Sequence, residues 1–329
     1  MKGSIDGADL HRTRMRWALF VWIALLWVPW LGSRFSTFLA TEIAILALFA
    51  LSLNLLLGYT GLVSFGHAAY FGIGAYTCAI LMKTYAVPFP LAFVAAGAMA
   101  AAFAVVFGFF CVRSTRIYFA MLTLAFAQIV YAVAFQWVEV TGGDNGVVGV
   151  WPSRWAGGRT TYYYLVLVVV AAAVVLLRRG IYAPFGYTLR AARDSAVRAD
   201  AIGIDVRTHR WLAFTIAGAA AGLAGGLFAF SKGSIDPTLI SIPMSVDFLV
   251  MTLLGGVQTV IGPLIGAAAF HSIRDLLMPL TDYWRLLLGL AIIAIVLAFP
   301  RGIVGGALLL RSRLGWDDAV VQARARATA

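Results

Sequence analysis

The chain has 329 residues, of which 62% are hydrophobic and only 12% are charged. Its mean hydropathy is +0.91, and a water-soluble domain of this size cannot bury so much apolar surface. The composition therefore excludes a soluble globular protein. The 25 Lys and Arg residues outnumber the 14 Asp and Glu residues, which gives a net charge of +11. In a membrane protein this excess reflects topology, so we expect no nucleic-acid partner.

Apolar stretches occur along the whole chain, and each is long enough to form most of a membrane-spanning helix. They cover approximately 17–31, 38–57, 62–82, 89–112, 117–137, 163–177, 211–230, 246–270 and 285–299. The sequence therefore predicts an all-α, polytopic integral membrane protein with about nine to ten transmembrane helices, some of them broken or interrupted by glycine. Its expected parts are a cytoplasmic tail at 1–16, a transmembrane domain at 17–300 with a cytoplasmic loop at 179–210, and a cytoplasmic tail at 301–329.

The first apolar stretch has the charge layout of a signal peptide, because several basic residues precede it. However, the stretch contains four tryptophans, from Trp17 to Trp30, and no small-residue cleavage site follows it. We therefore expect an uncleaved first helix.

Basic residues are distributed unevenly between the two sets of loops, and most of them lie on the side of the N-terminus. The positive-inside rule places that side in the cytoplasm. Nine unbroken spans would leave the arginine-containing C-terminal tail on the opposite side. We therefore predict a break within 246–270, at Gly255, Gly256, Gly262 and Pro263, because glycine weakens a helix and proline removes a hydrogen bond. Both termini are then cytoplasmic.

The segment 53–76 is rich in glycine, and two interpretations remain open. Close packing of helices through small residues is favoured for Gly72 and Gly74. A discontinuous helix beside a translocation path is favoured from Gly58 through Gly61 to Gly66, because polar groups at membrane depth need partners or water. The candidate path residues are Asn54, Tyr59, Thr60, Ser64, His67 and, from the stretch 117–137, Gln128. A shorter Leu-Leu-Gly echo at 253–263 is typical of an internally repeated transporter.

Few ionisable residues lie inside the apolar stretches. A proton-coupled secondary transporter that uses Glu42 and His67 is therefore an alternative function. Glu42 also lies near the start of its stretch, where an interfacial position would let it reach water. A proton-coupled carrier should lose transport in Glu42→Gln, whereas we expect an ATP-driven importer to tolerate that change.

The loop 179–210 contains apolar and charged residues at the spacing of a short amphipathic helix, followed by a break at Gly203. Arginines on such a helix are attracted to anionic lipid, so a membrane-surface helix is one interpretation. A rigid element that docks on a cytoplasmic partner is the other. The residues proposed for this role are Arg190, Arg193, Ala196, Val197, Ala201 and Gly203.

Several chemistries lack a sequence basis. There is no G-x-x-x-x-G-K-[ST] motif, so the chain is not its own P-loop ATPase. The four histidines form no pair at metal-ligand spacing, and Cys78 and Cys111 lie in apolar runs. We therefore expect no catalytic residue, no bound metal and no cofactor.

Five stretches in chain order together resemble one family. They are 58–76, 117–128 with 141–146, 186–204, 254–256 and 300–303. These stretches are similar to those of LivM-type permeases of branched-chain amino-acid ABC importers. The resemblance covers most of 45–305.

The resemblance implies a ten-helix type of permease in the cell inner membrane. Its implied partners are a homologous permease, two cytoplasmic ABC ATPase subunits and an extracytoplasmic binding protein, besides membrane lipid. The implied substrates are branched-chain amino acids or a related small polar solute such as urea or an amide. The loop 186–205 resembles the ATPase-contacting element of the family, although its Arg198-Ala199-Asp200-Ala201 differs from the common Glu-Ala-Ala core.

Overall fold

The computed structural model describes residues 25–27, 29–30, 33–151, 157–299 and 302–306. The expected tail at 1–16, most of the first apolar stretch and nearly all of the tail at 301–329 lie outside the described residues.

The described part of the chain consists of helices and one short β pair, joined by turns and irregular segments. The long helices are α1 (Arg34–Asn54), α2 (Ala68–Tyr85), α3 (Phe89–Cys111), α4 (Arg116–Gln136), α6 (Arg159–Tyr182), α9 (Val206–Lys232), α10 (Ile242–Gly255), α11 (Gly262–Leu277) and α12 (Trp284–Ala298). The short helices are α5 (Val138–Thr141), α7 (Pro184–Asp194) and α8 (Ala196–Ala201). A π-helical turn at Leu55–Thr60 continues α1, and 3-10 turns occur at Gly143–Asn145 and Pro237–Ile240. Strand β1 (Val147–Val148) pairs antiparallel with β2 (Ser234–Ile235).

Six helices within the described residues are long and apolar enough to cross a membrane. They are Phe35–Thr60, Phe89–Cys111, Ile117–Gln136, Arg159–Tyr182, Val206–Lys232 and Trp284–Gly306, and residues 300 and 301 of the last lie outside the described part. The all-α polytopic fold predicted from the sequence is confirmed. Helices α6 and α9 extend beyond the predicted stretches 163–177 and 211–230, because hydropathy marks only the part of a helix that is apolar.

Helix α9 lies at the centre of the bundle, where it packs against α1, α2 and α3. Small residues allow these close contacts, since a Cβ atom at Gly74 of α2 would overlap the backbone of Gly222 on α9. A Cβ atom at Gly225 would likewise overlap the carbonyl of Phe71. The glycine face of α2 is therefore a packing surface.

The outer helices expose apolar side chains. Met121 and Ile129 of α4 are 64% and 55% exposed, and Leu290 of α12 is 57% exposed. Such faces suit contact with lipid or with another membrane subunit, because neither requires hydrogen bonding from the side chain.

Candidate translocation site

The first helix break lies at the end of α1. The π-helical turn ends at Gly61, whose φ of +70° favours glycine, and irregular backbone continues to His67 before α2 begins. Thr60 donates from its hydroxyl to the carbonyl of Leu56 at 2.6 Å, so this side chain satisfies its own turn. Non-helical backbone at membrane depth is stable only when protein or water satisfies it, which makes its surroundings important.

The second helix break lies between α10 and α11. Helix α10 ends at Gly255, and both Gly256 and Gln258 have positive φ, at 113° and 73°. Helix α11 then begins at Gly262 with Pro263 in its first turn, where a missing N–H costs nothing. The two helices have 14 and 16 residues, so at about 1.5 Å per residue each is shorter than the ~30 Å hydrocarbon layer.

The two breaks are in direct contact. The side-chain amide of Asn54 donates to the carbonyl of Thr259 at 2.9 Å and accepts from the backbone N–H of Gln258 at 3.3 Å. The hydroxyl of Tyr59 donates to the carbonyl of Gln258 at 3.0 Å. Side chains of the first break therefore satisfy the irregular backbone of the second. The sequence indicated that the two segments are similar. It did not indicate Gln258 and Thr259 as functional residues, and it did not predict that the two segments are in contact.

The other proposed path residues lie apart from this contact. His67 is fully buried, and its Nε2 lies 2.9 Å from the hydroxyl of Ser52. Ser64 is also buried and makes no side-chain hydrogen bond to the described residues. Gly66 packs against α4 near Ala127. Gln128, the next residue of α4, is half-buried.

The described part of the protein includes cavities of about 660 and 320 Å³. None of the six proposed path residues lines either cavity. Among the path residues, Asn54 and Tyr59 instead join the two breaks.

The loop that follows α6 reaches the first break. Arg193, at the end of α7, donates from Nη1 to the carbonyl of Gly58 at 2.7 Å. Arg190 donates instead to the carbonyl of Ile181 at 3.0 Å and to that of Gly186 at 3.1 Å, which fixes α7 on the end of α6. This loop and the first break are thus one connected structure.

The loop differs from the single amphipathic helix expected there. It forms α7 and α8, separated at Ser195, whose hydroxyl accepts from the backbone N–H of Arg198 at 3.3 Å and begins the second helix. Because of this break, Leu189 and Ala192 are buried in the protein while Val197 is 81% exposed. The expected single apolar face is therefore wrong.

The remaining loop residues lie around this second helix. Ala201 is exposed, Ala196 packs half-buried against a small cluster that includes Ala199, and Gly203 turns the chain with a φ of +86°. The exposed surface also includes Ile202, at 76%, which the sequence argument did not select.

The same end of the bundle contains the start of the C-terminal segment. A Cβ atom at Gly302, whose φ is +75°, would overlap the backbone of Gly256. Gly302, the second break, the first break and the loop 179–210 therefore share one end. Glu42 and the β pair lie toward the other end, because α1 begins there.

Glu42 is buried in the protein rather than exposed at an interface. Its Oε1 lies 3.1 Å from Nζ of Lys232, and its Oε2 lies 3.6 Å from Nε2 of His271. His67 contacts Ser52 instead, and Ser52 lies ten residues along α1 from Glu42, or about 15 Å at the helical rise. The structure therefore does not bring Glu42 and His67 together as a proton-coupled carrier would need. The sequence did not indicate Lys232 or His271 as partners of Glu42.

Comparison with known proteins assigns the family. Residues 36–296 match the family described as the permease component of the branched-chain amino acid transport system. The chain belongs to this family. The high-affinity branched-chain amino acid transport permease protein LivM of Escherichia coli (strain K12) is 30% identical over 328 residues, which cover 92% of this chain and 77% of that protein. LivM of Salmonella typhimurium (strain LT2) is 29% identical over the same shares.

A shorter match concerns the probable branched-chain amino acid transport permease protein LivH of Methanocaldococcus jannaschii. It is 29% identical over 130 residues, or 37% of this chain and 41% of that protein. No solved structure matches the chain. The family assignment confirms the resemblance found in the sequence. The chain is a multi-pass permease subunit of an ABC importer, a transporter rather than an enzyme, and ATP hydrolysis in such systems belongs to separate subunits.

Proposed function

We propose that this subunit carries branched-chain amino acids into the cytoplasm across the inner membrane. An extracytoplasmic binding protein delivers the amino acid, a homologous permease completes the passage, and two cytoplasmic ATPase subunits supply the energy. The family match and the names of the relatives support the substrate. The hydrogen bond from Arg193 to Gly58 supports the energy route, since it connects the loop 179–210 to the first helix break.

The contact between the two breaks is proposed as the gate. In the described conformation Asn54 and Tyr59 bind the backbone of Gln258 and Thr259, so the passage between α1 and the α10–α11 pair is closed. Opening requires the breaks to separate. Ser64, His67 and Gln128 then line the passage beside the glycines Gly58, Gly61 and Gly66.

The loop 179–210 is proposed as the element that docks on an ATPase subunit. Val197 and Ala201 are exposed there. Exposed apolar side chains that lie close together are typical of a surface that a partner protein covers. Arg193 faces the opposite way, into the permease. Movement of the docked loop therefore reaches the first break through Arg193, and also through Arg190, whose guanidinium lies 6.0 Å from the ring centroid of Tyr59.

Both termini are proposed to be cytoplasmic. Gly302 lies at the same end of the bundle as the arginine-rich loop, which supports a return of the C-terminal tail to that side. A reporter fused after Arg313 should give a cytoplasmic signal. A periplasmic signal would contradict the proposed topology.

Uptake by the complete importer tests the proposal. The two permeases, the ATPases and the binding protein are reconstituted in vesicles, and uptake of radiolabelled leucine, isoleucine, valine and urea is measured. We expect ATP-dependent uptake of the three amino acids that continues when the proton gradient is collapsed. Uptake driven by a proton gradient without ATP would support the secondary transporter instead, and uptake of urea alone would change the substrate.

A further inference from the structure

A charged cavity lies near the end of the bundle opposite the loop 179–210. Its volume is about 320 Å³, at the lower end of the range for small-molecule sites. Two basic residues, Lys232 and Arg274, and three carboxylates, Glu42, Asp236 and Asp247, line it. Ionisable groups inside a membrane protein mark functional sites, because they are costly to place there without a purpose.

The lining of the cavity also includes apolar residues. Leu46, Phe228, Leu239, Met244 and Met251 line it together with the charged residues. A ligand that suits this mixed lining carries charged groups and an aliphatic group. Urea has no aliphatic group.

The central charges already bind each other. Lys232 lies 3.1 Å from Oε1 of Glu42, and its ammonium lies 5.6 Å and 5.7 Å from the ring centroids of Phe38 and Phe228. The aromatic rings position the ammonium beside the carboxylate, since the ring faces attract a cation. Glu42 is 7% exposed, so its charge depends on this partner.

His271 adds an unsatisfied group behind Glu42. It is 3% exposed, and neither of its ring nitrogens makes a hydrogen bond to the described residues. Its Nε2 lies 3.6 Å from Glu42 and 3.7 Å from Asp275. A small movement of the Glu42 carboxylate toward His271 would form a hydrogen bond, so the protein can stabilise Glu42 after Lys232 has moved away.

We propose that this cavity is a zwitterion site, in which Lys232 binds the carboxylate and Glu42 binds the ammonium of an α-amino acid with an aliphatic side chain. This inference rests on the proposed function and identifies where the substrate of that function binds. When a zwitterion enters between Glu42 and Lys232, one ion pair becomes two and no charge is left alone. A ligand with only a carboxylate takes Lys232 from Glu42 and leaves that buried carboxylate without its ion-pair partner, which is unfavourable. A ligand with only an ammonium takes Glu42 from Lys232, whose side chain is 40% exposed, and so exchanges one ion pair for another without gaining a second.

The site therefore selects for the presence of both charges. A neutral amide leaves the Glu42–Lys232 pair intact and gains nothing from it. The site lies toward the proposed extracytoplasmic side, so it would receive the amino acid from the binding protein before the gate at Asn54 opens.

Ligand analogues test the charge requirement. The purified importer complex without its binding protein is heated with increasing leucine, 4-methylpentanoate, 3-methylbutylamine or isovaleramide, and the shift in unfolding temperature gives each dissociation constant. We expect leucine to bind at least about tenfold more tightly than each analogue, the effect of losing one charged hydrogen bond. Equal binding of leucine and an analogue would overturn the proposal, and so would the absence of leucine binding.

Two variants locate the charges. In Glu42→Gln the advantage of leucine over 4-methylpentanoate should disappear, because the ammonium has lost its partner. In Lys232→Gln the advantage over 3-methylbutylamine should disappear instead. Glu139→Gln and Lys83→Gln are matched controls, because both side chains are exposed outside the cavity and should leave each ratio unchanged. Variants that keep the wild-type ratios would overturn the assignment.

Folding and function are tested separately. Glu42→Asp keeps the charge, and it should retain the preference for leucine if Glu42→Gln proves unstable. In vesicles, Glu42→Gln should lower leucine uptake about tenfold, in contrast to the tolerance expected from the sequence. If the wild-type importer takes up leucine but Glu42→Gln does so equally well, the zwitterion site fails alone. If the wild-type importer takes up no branched-chain amino acid, the proposed function fails.

Discussion

Arg193 donates a 2.7 Å hydrogen bond to the carbonyl of Gly58, 135 positions earlier in the chain. The donor lies in the loop that we propose contacts the ATPase, and the acceptor lies in the first helix break. A Cβ atom at Gly61 would come within 2.7 Å of the Arg193 side chain, so the glycine also makes room for it. The loop and the break therefore move together or lose this bond.

Replacement of Arg193 should uncouple ATP hydrolysis from transport. In Arg193→Ala the carbonyl of Gly58 loses a charged donor, an interaction of about 1.5–3 kcal/mol, so the loop can move without the break. We expect leucine uptake per ATP hydrolysed to fall roughly tenfold. Arg159→Ala is the matched control, because Arg159 is exposed at the start of α6, away from the loop 179–210. Equal coupling ratios in the two variants would contradict the proposed energy route.

Replacement of Asn54 should open the gate. In Asn54→Ala the N–H of Gln258 and the carbonyl of Thr259 lose their side-chain partner, and because both hydrogen bonds are only partly buried each loss costs about 0.5–1.5 kcal/mol. We expect a lower unfolding temperature and faster leak of loaded amino acid from vesicles without ATP. Tyr59→Phe removes a single hydrogen bond and should show a smaller leak. A tight vesicle with Asn54→Ala would argue against a gate at this contact.

Charges on the exposed side of α8 should prevent docking. Val197→Glu or Ala201→Glu places a carboxylate where an ATPase would bury it, at a cost of about 2–5 kcal/mol if it is fully desolvated. We expect the ATPase to dissociate during purification while the permease still inserts. The membrane-surface interpretation predicts little effect of these changes. It predicts instead a strong effect of removing the exposed Arg198, so a set of three variants separates the two interpretations.

Close helix packing can be tested by adding one methyl group. Gly74→Ala would force the methyl into the backbone of Gly222, and overpacking of this kind costs about 1–3 kcal/mol. Gly180→Ala is the control, because no atom lies within 4 Å of that position and alanine favours a helix. Thermal unfolding of both purified variants should show a lower temperature for Gly74→Ala only. A loss of the same size in Gly180→Ala would point to a cause other than packing.

The sequence predicted the helices well, because hydropathy depends on consecutive residues. The broken region between Gly255 and Gly262 was also visible, since glycine and proline act on their own helix. Contacts between distant segments were not visible. Lys232 follows the apolar stretch 211–230, and nothing in the neighbouring sequence indicates Glu42 as its partner.

The loop 179–210 shows a second kind of limit. Its apolar spacing fitted one helix, but Ser195 begins a new helix and changes the direction of every later side chain. Serine is a common N-cap residue, but it also occurs in loops. The sequence pattern alone therefore did not show that a second helix begins at this position. The contact of Asn54 with Thr259 was hidden for another reason, because the backbone that Asn54 satisfies lies 205 positions away.

The ion pair between Glu42 and Lys232 has a consequence for biogenesis. The two residues are about 190 positions apart, so at roughly 5–20 residues per second a ribosome needs about 10–40 seconds to make the second after the first. During that interval helix α1 has entered the membrane with a carboxylate that lacks its partner. Until Lys232 has been synthesised, helix α1 must therefore remain beside the insertion machinery or hold Glu42 in its neutral, protonated form.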